Sequence, residues 1–175
     1  MTESIDLFEA IDTQRGIRRF KPDPVPEDII MRILQAGRWA PSSSNTQCWH
    51  FIVIQDRTTL TTLGEICSQG RFIGQAPVAI AIVMENAPRP QLDAGRAIQQ
   101  MELMAWSQGV GTCFAGVRDP AQQVAVKELL GIAEEMELIT ILPFGYRAEG
   151  PRGKGTPRKP MEEIAHREKF GQPYL

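Results

Sequence analysis

Histidine and cysteine are scarce in this chain, and their scarcity narrows its chemistry. His50 and His166 are the only histidines; Cys48, Cys67 and Cys113 are widely spaced, odd in number and form no CxxC pair. Nothing stands at metal-ligand spacing, which argues against a zinc site and leaves no expected metal. The cysteines read as three reduced thiols. Charge of one sign is also lacking: 19 Lys and Arg against 21 Asp and Glu leave a net charge of −2, no electrostatic footprint for nucleic acid. The longest apolar stretch, Ala76 to Met84, is far too short to span a bilayer. The acidic opening Met1-Thr2-Glu3-Ser4-Ile5-Asp6 has no signal-peptide pattern. A cytoplasmic protein without nucleic-acid or membrane partners is expected.

The common catalytic fingerprints are missing too. There is no GxGxxG, no P-loop and no GxSxG elbow. Gly109-Val110-Gly111-Thr112 falls at a helix C-terminus, the wrong end for a dinucleotide phosphate. Asp93, Glu102, Glu134 and Glu135 suggest no carboxylate dyad and are expected on solvated faces. With no evident protein nucleophile or acid–base pair, a cofactor must carry any chemistry.

What is present suits one domain over residues 1–175, with 42% apolar and 23% charged residues. Ser4 is expected to cap a helix carrying Ile5, Phe8 and Ile11 and ending near Thr13. Pro26 suits the first turn of a second helix that stops before Pro41. Strands are expected at Trp49–Ile54, Pro77–Met84, Thr112–Val117 and Glu137–Tyr146. Helices are expected at Arg57–Ser68, Gln91–Gln108 and Pro120–Leu130. The near-continuous apolar strands imply a sheet covered on both faces. Gly150 to Pro160 reads as a loop or arm lying on the body, before a short acidic segment, Met161 to Ala165.

Two blocks carry the chemistry. Gln14-Arg15-Gly16-Ile17-Arg18-Arg19-Phe20 sets three arginines around a glycine just past the first helix. In an extended loop Arg15, Ile17 and Arg19 share one face and Arg18 takes the other, unless the chain turns at Gly16. Ala40-Pro41-Ser42-Ser43-Ser44-Asn45-Thr46-Gln47 is a run of small hydroxyl and amide side chains. Guanidinium groups suit a phosphate dianion, and small hydrogen-bonding groups let a flat heterocycle approach. A solvated basic loop and an ordinary capped turn are the bland alternatives. Arg158, with Lys154 and Lys159, is a second basic group far along the chain. Gly116 permits close backbone approach to a ring, or only a tight turn. Trp39, Trp49, Phe72 and Trp106 are aromatics that belong to the core or touch a substrate, and Arg71-Phe72-Ile73-Gly74 is a candidate cover.

These blocks, in this order, resemble the nitroreductase family of FMN-dependent oxidoreductases. The resemblance extends through Lys21-Pro-Asp-Pro-Val-Pro26, Gly109-Val-Gly-Thr-Cys113, Leu129-Leu-Gly-Ile132, Pro143-Phe-Gly-Tyr146 and Arg158-Lys-Pro-Met-Glu-Glu-Ile164. It implies an α+β fold, with a central mixed sheet flanked by helices, in an intertwined homodimer. An arm of about residues 147–175 would be exchanged with, or lie on, the partner, and FMN would sit at the interface. It implies that Arg15 and Arg158 hold the FMN phosphate with Gly16 close by. Arg18 would tune the flavin near N1 and the C2 carbonyl, with no residue certain as catalytic. Pro41, Ser42, Ser43 and Asn45 would line the ring from the other subunit, and Gly116 would offer its N–H to N5 beside Ala115 and Val117. The implied activity is hydride transfer from NADH or NADPH through flavin N5 to a small acceptor such as a nitroaromatic or quinone, by a ping-pong route. Related alternatives are an FMN-dependent dehydrogenase, a dehalogenase, a flavin-consuming enzyme, or a non-catalytic flavin-binding or redox-sensing protein. Four positions depart from the family's usual pattern: Gln14 for arginine, Gly16 for serine, Cys48 for proline and Thr156 for lysine.

Overall fold

The computed structural model describes residues 5–150 and 155–174. Its centre is a four-stranded sheet in the order β1-β2-β4-β3: β1 (Trp49–Ile54), β2 (Val78–Met84), β3 (Gly111–Thr112) and β4 (Glu137–Gly145). All seven residues of β2 are buried, because both faces of the sheet are covered. Val78, Ile80, Ile82 and Met84 point into one core with Ile30 and Ile33 of α2 (Glu27–Arg38) and Ala97 and Met101 of α4 (Pro90–Ser107). The smaller Ala79, Ala81 and Val83 point into the other, with Leu60 and Leu63 of α3 (Arg57–Ile66) and Val126 of α5 (Pro120–Leu130). A register shift against β4 lets Leu138 and Ile141 share the second core while Leu142 and Phe144 fill the first.

The sheet corrects the expectation of a mixed one. Among the described residues all strand pairings are antiparallel, and the parallel component is a single bridge between Gly16 and Thr112. β3 is two residues long and offers no further ladder. The expected strand Thr112–Val117 shortens for a related reason. Ala115 rejoins β4 only opposite Ile141, and its carbonyl also accepts the buried Thr140 hydroxyl at 3.0 Å. The Ala115 N–H and carbonyl exchange backbone hydrogen bonds with Ile141 at 3.2 and 3.3 Å, so beyond Thr112 the pairing with β4 is confined to this one residue.

The helix ends follow local chemistry. Asp56 and Asp119 cap α3 and α5 through their carboxylates, and Gly131, at φ 65°, closes α5 in the left-handed region. α1 (Leu7–Thr13) is capped by Asp6; Ser4, the expected cap, lies outside the described residues. Of its apolar residues Leu7, Phe8 and Ile11 are exposed and only Ala10 is buried. Pro26 precedes α2 as its cap instead of entering its first turn. Arg71–Gln75 forms a 3-10 turn with Ile73 fully buried, its Gly74 and Ala76 carbonyls accepting from Arg57. The expected cover is thus a segment docked by its own core residue. Beyond Gly150 the described chain carries one short helix, α6 (Met161–Ile164).

Candidate functional site

The arginine block is shaped by one inward residue. Ile17 packs with Phe20 and Ala76, and its backbone N–H donates to the Thr112 carbonyl at 2.8 Å. A Cβ on Gly111 would lie 2.5 Å from Ile17 Cγ1, so only glycine lets the two segments approach this closely. With Ile17 turned inward, Arg15, Arg18 and Arg19 all line one cleft of about 870 Å³. The alternation expected of an extended loop is overridden by the bridge at Gly16.

The other end of the chain reaches the same cleft. The Tyr146 carbonyl accepts from Lys21 N–H at 2.8 Å, and Ala148 N–H donates to the Arg19 carbonyl at 2.9 Å. This pairing carries Arg147, Glu149 and Gly150 along the rim. Gly155, at φ 72°, lies against Arg15, whose Nε would be 2.8 Å from a Cβ at that position. Thr156 and Arg158 complete the lining. Lys154 lies outside the described residues.

Among the described residues five guanidinium groups therefore face this cleft, with Glu9 and Glu149 as the carboxylates of its lining. Among the described residues none of the five is in an ion pair. Arg15 Nη1 donates to the Asp12 and Gln14 carbonyls at 2.6 and 2.8 Å, and Arg147 Nη2 to the Gly150 carbonyl at 2.6 Å. Carbonyls orient these groups without neutralising them, which leaves the charge for an anion. Trp106 also lines the cleft and donates Nε1–H to Thr13 Oγ1 at 3.0 Å. Trp49 belongs to the core, whereas Trp39 is exposed.

Two of the three thiols are raised by burial. Burial pushes Cys67 up to about 11. Burial also raises Cys113, whose Sγ would lie 3.3 Å from a Cβ on Gly16, against the opposing pull of Arg18. Both thiols stay protonated at neutral pH. Arg18 itself lies 6.0 Å from the centre of the Phe72 ring.

Two acids expected on solvated faces are not there. Asp93 is fully buried, with its carboxylate on the serine turn. Glu102 is half-buried, its pKa raised by burial against a 3.3 Å hydrogen bond from Gln14. A signal for Asp93 was present in the sequence: Asp93, Ala97, Met101 and Ala105 repeat every four residues, and all four are fully buried.

The serine run forms a 3-10 turn, Ser43–Asn45. Pro41, Ser42, Ser43, Asn45, Ala115 and Gly116 do not line the arginine cleft within one chain, whereas Arg15, Gly16, Arg18 and Arg158 do.

Comparison with known proteins adds a lineage to this geometry. A model described as "Nitroreductase family" matches residues 11–70 and 67–146. A protein of Methanothermobacter thermautotrophicus named as an NADH dehydrogenase/NAD(P)H nitroreductase is 35% identical over 153 residues, covering 84% of this chain and 80% of its own. The solved FMN-dependent nitroreductase of Clostridium difficile superposes with a TM-score of 0.77 at 28% identity, over 83% of this chain and 90% of that one. A Bacteroides fragilis nitroreductase solved with bound FMN gives 0.75 at 26% identity, over 89% and 95%.

Proposed function

The chain belongs to the nitroreductase family, and from that membership we propose that it is an NAD(P)H-dependent FMN oxidoreductase that reduces a small acceptor such as a nitroaromatic or a quinone. The observation that carries the proposal is the meeting of Arg15, Arg18 and Arg158, from opposite ends of the chain, at one cleft. The lining fits FMN: its phosphate is a dianion, and the cleft presents guanidinium groups held by carbonyls instead of carboxylates.

When bound, FMN supplies the hydride chemistry that no side chain of the cleft performs. Arg15 and Arg158 would hold the phosphate, with Gly16 beside them. Arg18 would place a fixed positive charge where negative charge develops on reduction, an effect strengthened where water is excluded. Reductant and acceptor would take turns at one open face, which is the ping-pong order. The thiols of Cys67 and Cys113, raised by burial, stay out of the reaction.

A homodimer is part of the same proposal. Pro41, Ser42, Ser43 and Asn45, with Ala115 and Gly116, would line the ring, and the serine turn would come from a second copy. Exposed Leu7, Phe8, Ile11, Phe170 and Tyr174 supply apolar surface for such pairing. Of the arm of about residues 147–175, the part up to Arg158 lines the cleft of its own chain, and the part beyond it would lie on the partner. No described helix is long and apolar enough to cross a membrane, and a cytoplasmic location suits the three unpaired cysteines.

Purified protein mixed with FMN should turn yellow after removal of free flavin, and should oxidise NADH or NADPH faster with a nitroaromatic acceptor than without. Colourless protein that binds no added FMN would sink the proposal. Flavin binding with no oxidation of either nucleotide would point to the non-catalytic alternative.

A further inference from the structure

The serine turn is held in shape by a carboxylate outside it, and we propose that Asp93 is the positioning residue for the ring-lining turn of the flavin site. The inference rests on the function proposed above and extends it to a residue beyond the cleft. Asp93 is fully buried in the first turn of α4, where the positive end of the helix favours a carboxylate. Its Oδ2 accepts the Ser43 backbone N–H at 3.0 Å, and its Oδ1 accepts the Ser43 hydroxyl at 3.2 Å. One helical turn on, Arg96 donates from Nη1 to Asp93 Oδ1 at 3.3 Å and to the Pro41 carbonyl at 3.4 Å. The Asp93–Arg96 pair thus grips the chain on both sides of Ser42. Ser42 Oγ in turn accepts the Gln47 N–H at 3.0 Å and closes the turn.

The backbone inside this grip is unfavourable by itself. Ser44, Asn45 and Gln47 have φ of 53°, 56° and 50°, a left-handed region that Asn tolerates but Ser and Gln adopt at a cost. Such conformations persist where their surroundings over-determine them. A buried, doubly accepting carboxylate supplies that constraint. It also divides labour among the serines. The Ser43 hydroxyl is committed to Asp93, so Ser43 acts as a strut. Ser43 would line the ring as this strut, while Pro41, Ser42 and Asn45 complete the wall.

The test separates ring from phosphate. Asp93→Ala, Asp93→Asn and Ser43→Ala are titrated with FMN, with riboflavin (ring without phosphate) and with ribose 5-phosphate (phosphate without ring). Flavin fluorescence follows the first two and calorimetry the third. Asp93→Ala should weaken FMN and riboflavin by the same factor, about tenfold or more, and leave ribose 5-phosphate unchanged. Asp93→Asn, which keeps one acceptor oxygen, should recover part of the loss. Ser43→Ala should weaken both flavins in the same direction, and it keeps the test decisive if Asp93→Ala does not fold. Folded variants that bind both flavins like the wild type would overturn the inference. So would an equal loss of ribose 5-phosphate, which marks general damage. A wild-type protein that binds neither flavin would instead fail the proposed function, before any variant is compared.

Discussion

Arg15 and Arg158 stand near opposite ends of the sequence, and each enters the cleft with its charge intact. Arg15 is oriented by two carbonyl oxygens, and Arg158, among the described residues, by the Thr156 carbonyl at 3.5 Å. A charge-assisted contact from such a group contributes about 1.5–3 kcal/mol. Arg158→Ala is therefore expected to weaken FMN binding about ten- to a hundredfold and to leave riboflavin affinity unchanged, because riboflavin has no phosphate. Equal losses for both ligands, measured by fluorescence quenching, would remove the phosphate role. Glu102 makes a different prediction. Burial raises its pKa above the ordinary 4.5, so the folded chain binds that proton more tightly than the unfolded chain. Its contribution to stability is complete below 4.5 and is lost as pH rises through the raised folded value. Glu102→Gln keeps the shape and removes the charge. It should melt a few degrees higher than the wild type at pH 7, with the gain vanishing near pH 4. A melting difference independent of pH would contradict this assignment.

The elements matter through where they hold these residues. Gly111 of β3 is the point at which the arginine segment docks, since a Cβ there would press on Ile17 Cγ1, Cβ and Cγ2 at 2.5, 2.8 and 3.2 Å. None of these is the far end of a flexible side chain. Gly111→Ala is expected to cost about 1–3 kcal/mol, the usual penalty of overpacking. It should also weaken FMN binding, because the arginines move with Ile17. Denaturant unfolding and an FMN titration on the same preparation check both halves; normal affinity in a destabilised variant would detach the cleft from its docking strand.

The same scale explains what the sequence made legible. α5 and β1 lie where expected because their signals are local: Asp119 and Pro120 start α5, Gly131 stops it, and an unbroken apolar run marks β1. Arg15, Gly16, Arg18 and Arg158 were marked as candidates by composition and family pattern, and their shared cleft follows from the Ile17 anchor. Thr112–Val117 differs from the expected strand because its length depends on pairing with β4, which Ala115 regains only opposite Ile141. Asp93 was misread because its charge outweighed the four-residue spacing that places it with Ala97 and Met101. A non-local partner decided the first case, whereas the second had a local signal in the spacing along α4.

For the whole molecule, the cleft and the serine turn are separate features of one chain. The arginine lining includes none of Pro41, Ser42, Ser43 or Asn45, so a ring held by both needs a second copy. Under the proposed dimer, α1 would offer the surface for it. Leu7, Phe8 and Ile11 are 66%, 76% and 54% exposed while Ala10 alone is buried, which orients an apolar helix face away from its own core. A buried aromatic anchor in an interface commonly contributes 2 kcal/mol or more, whereas an exposed substitution changes monomer stability by about 0.5 kcal/mol or less. Phe8→Asp is therefore expected to weaken the proposed dimer at least about thirtyfold while leaving far-UV circular dichroism unchanged. Light scattering across a dilution series measures the first effect. If the ring is lined from a second copy, FMN affinity falls in step with the dimer fraction and recovers at high protein concentration. Ribose 5-phosphate affinity, set by arginines of a single chain, stays level throughout. A monomeric variant that binds FMN as tightly as the wild type would show that one chain suffices, and the serine turn would lose its place at the flavin.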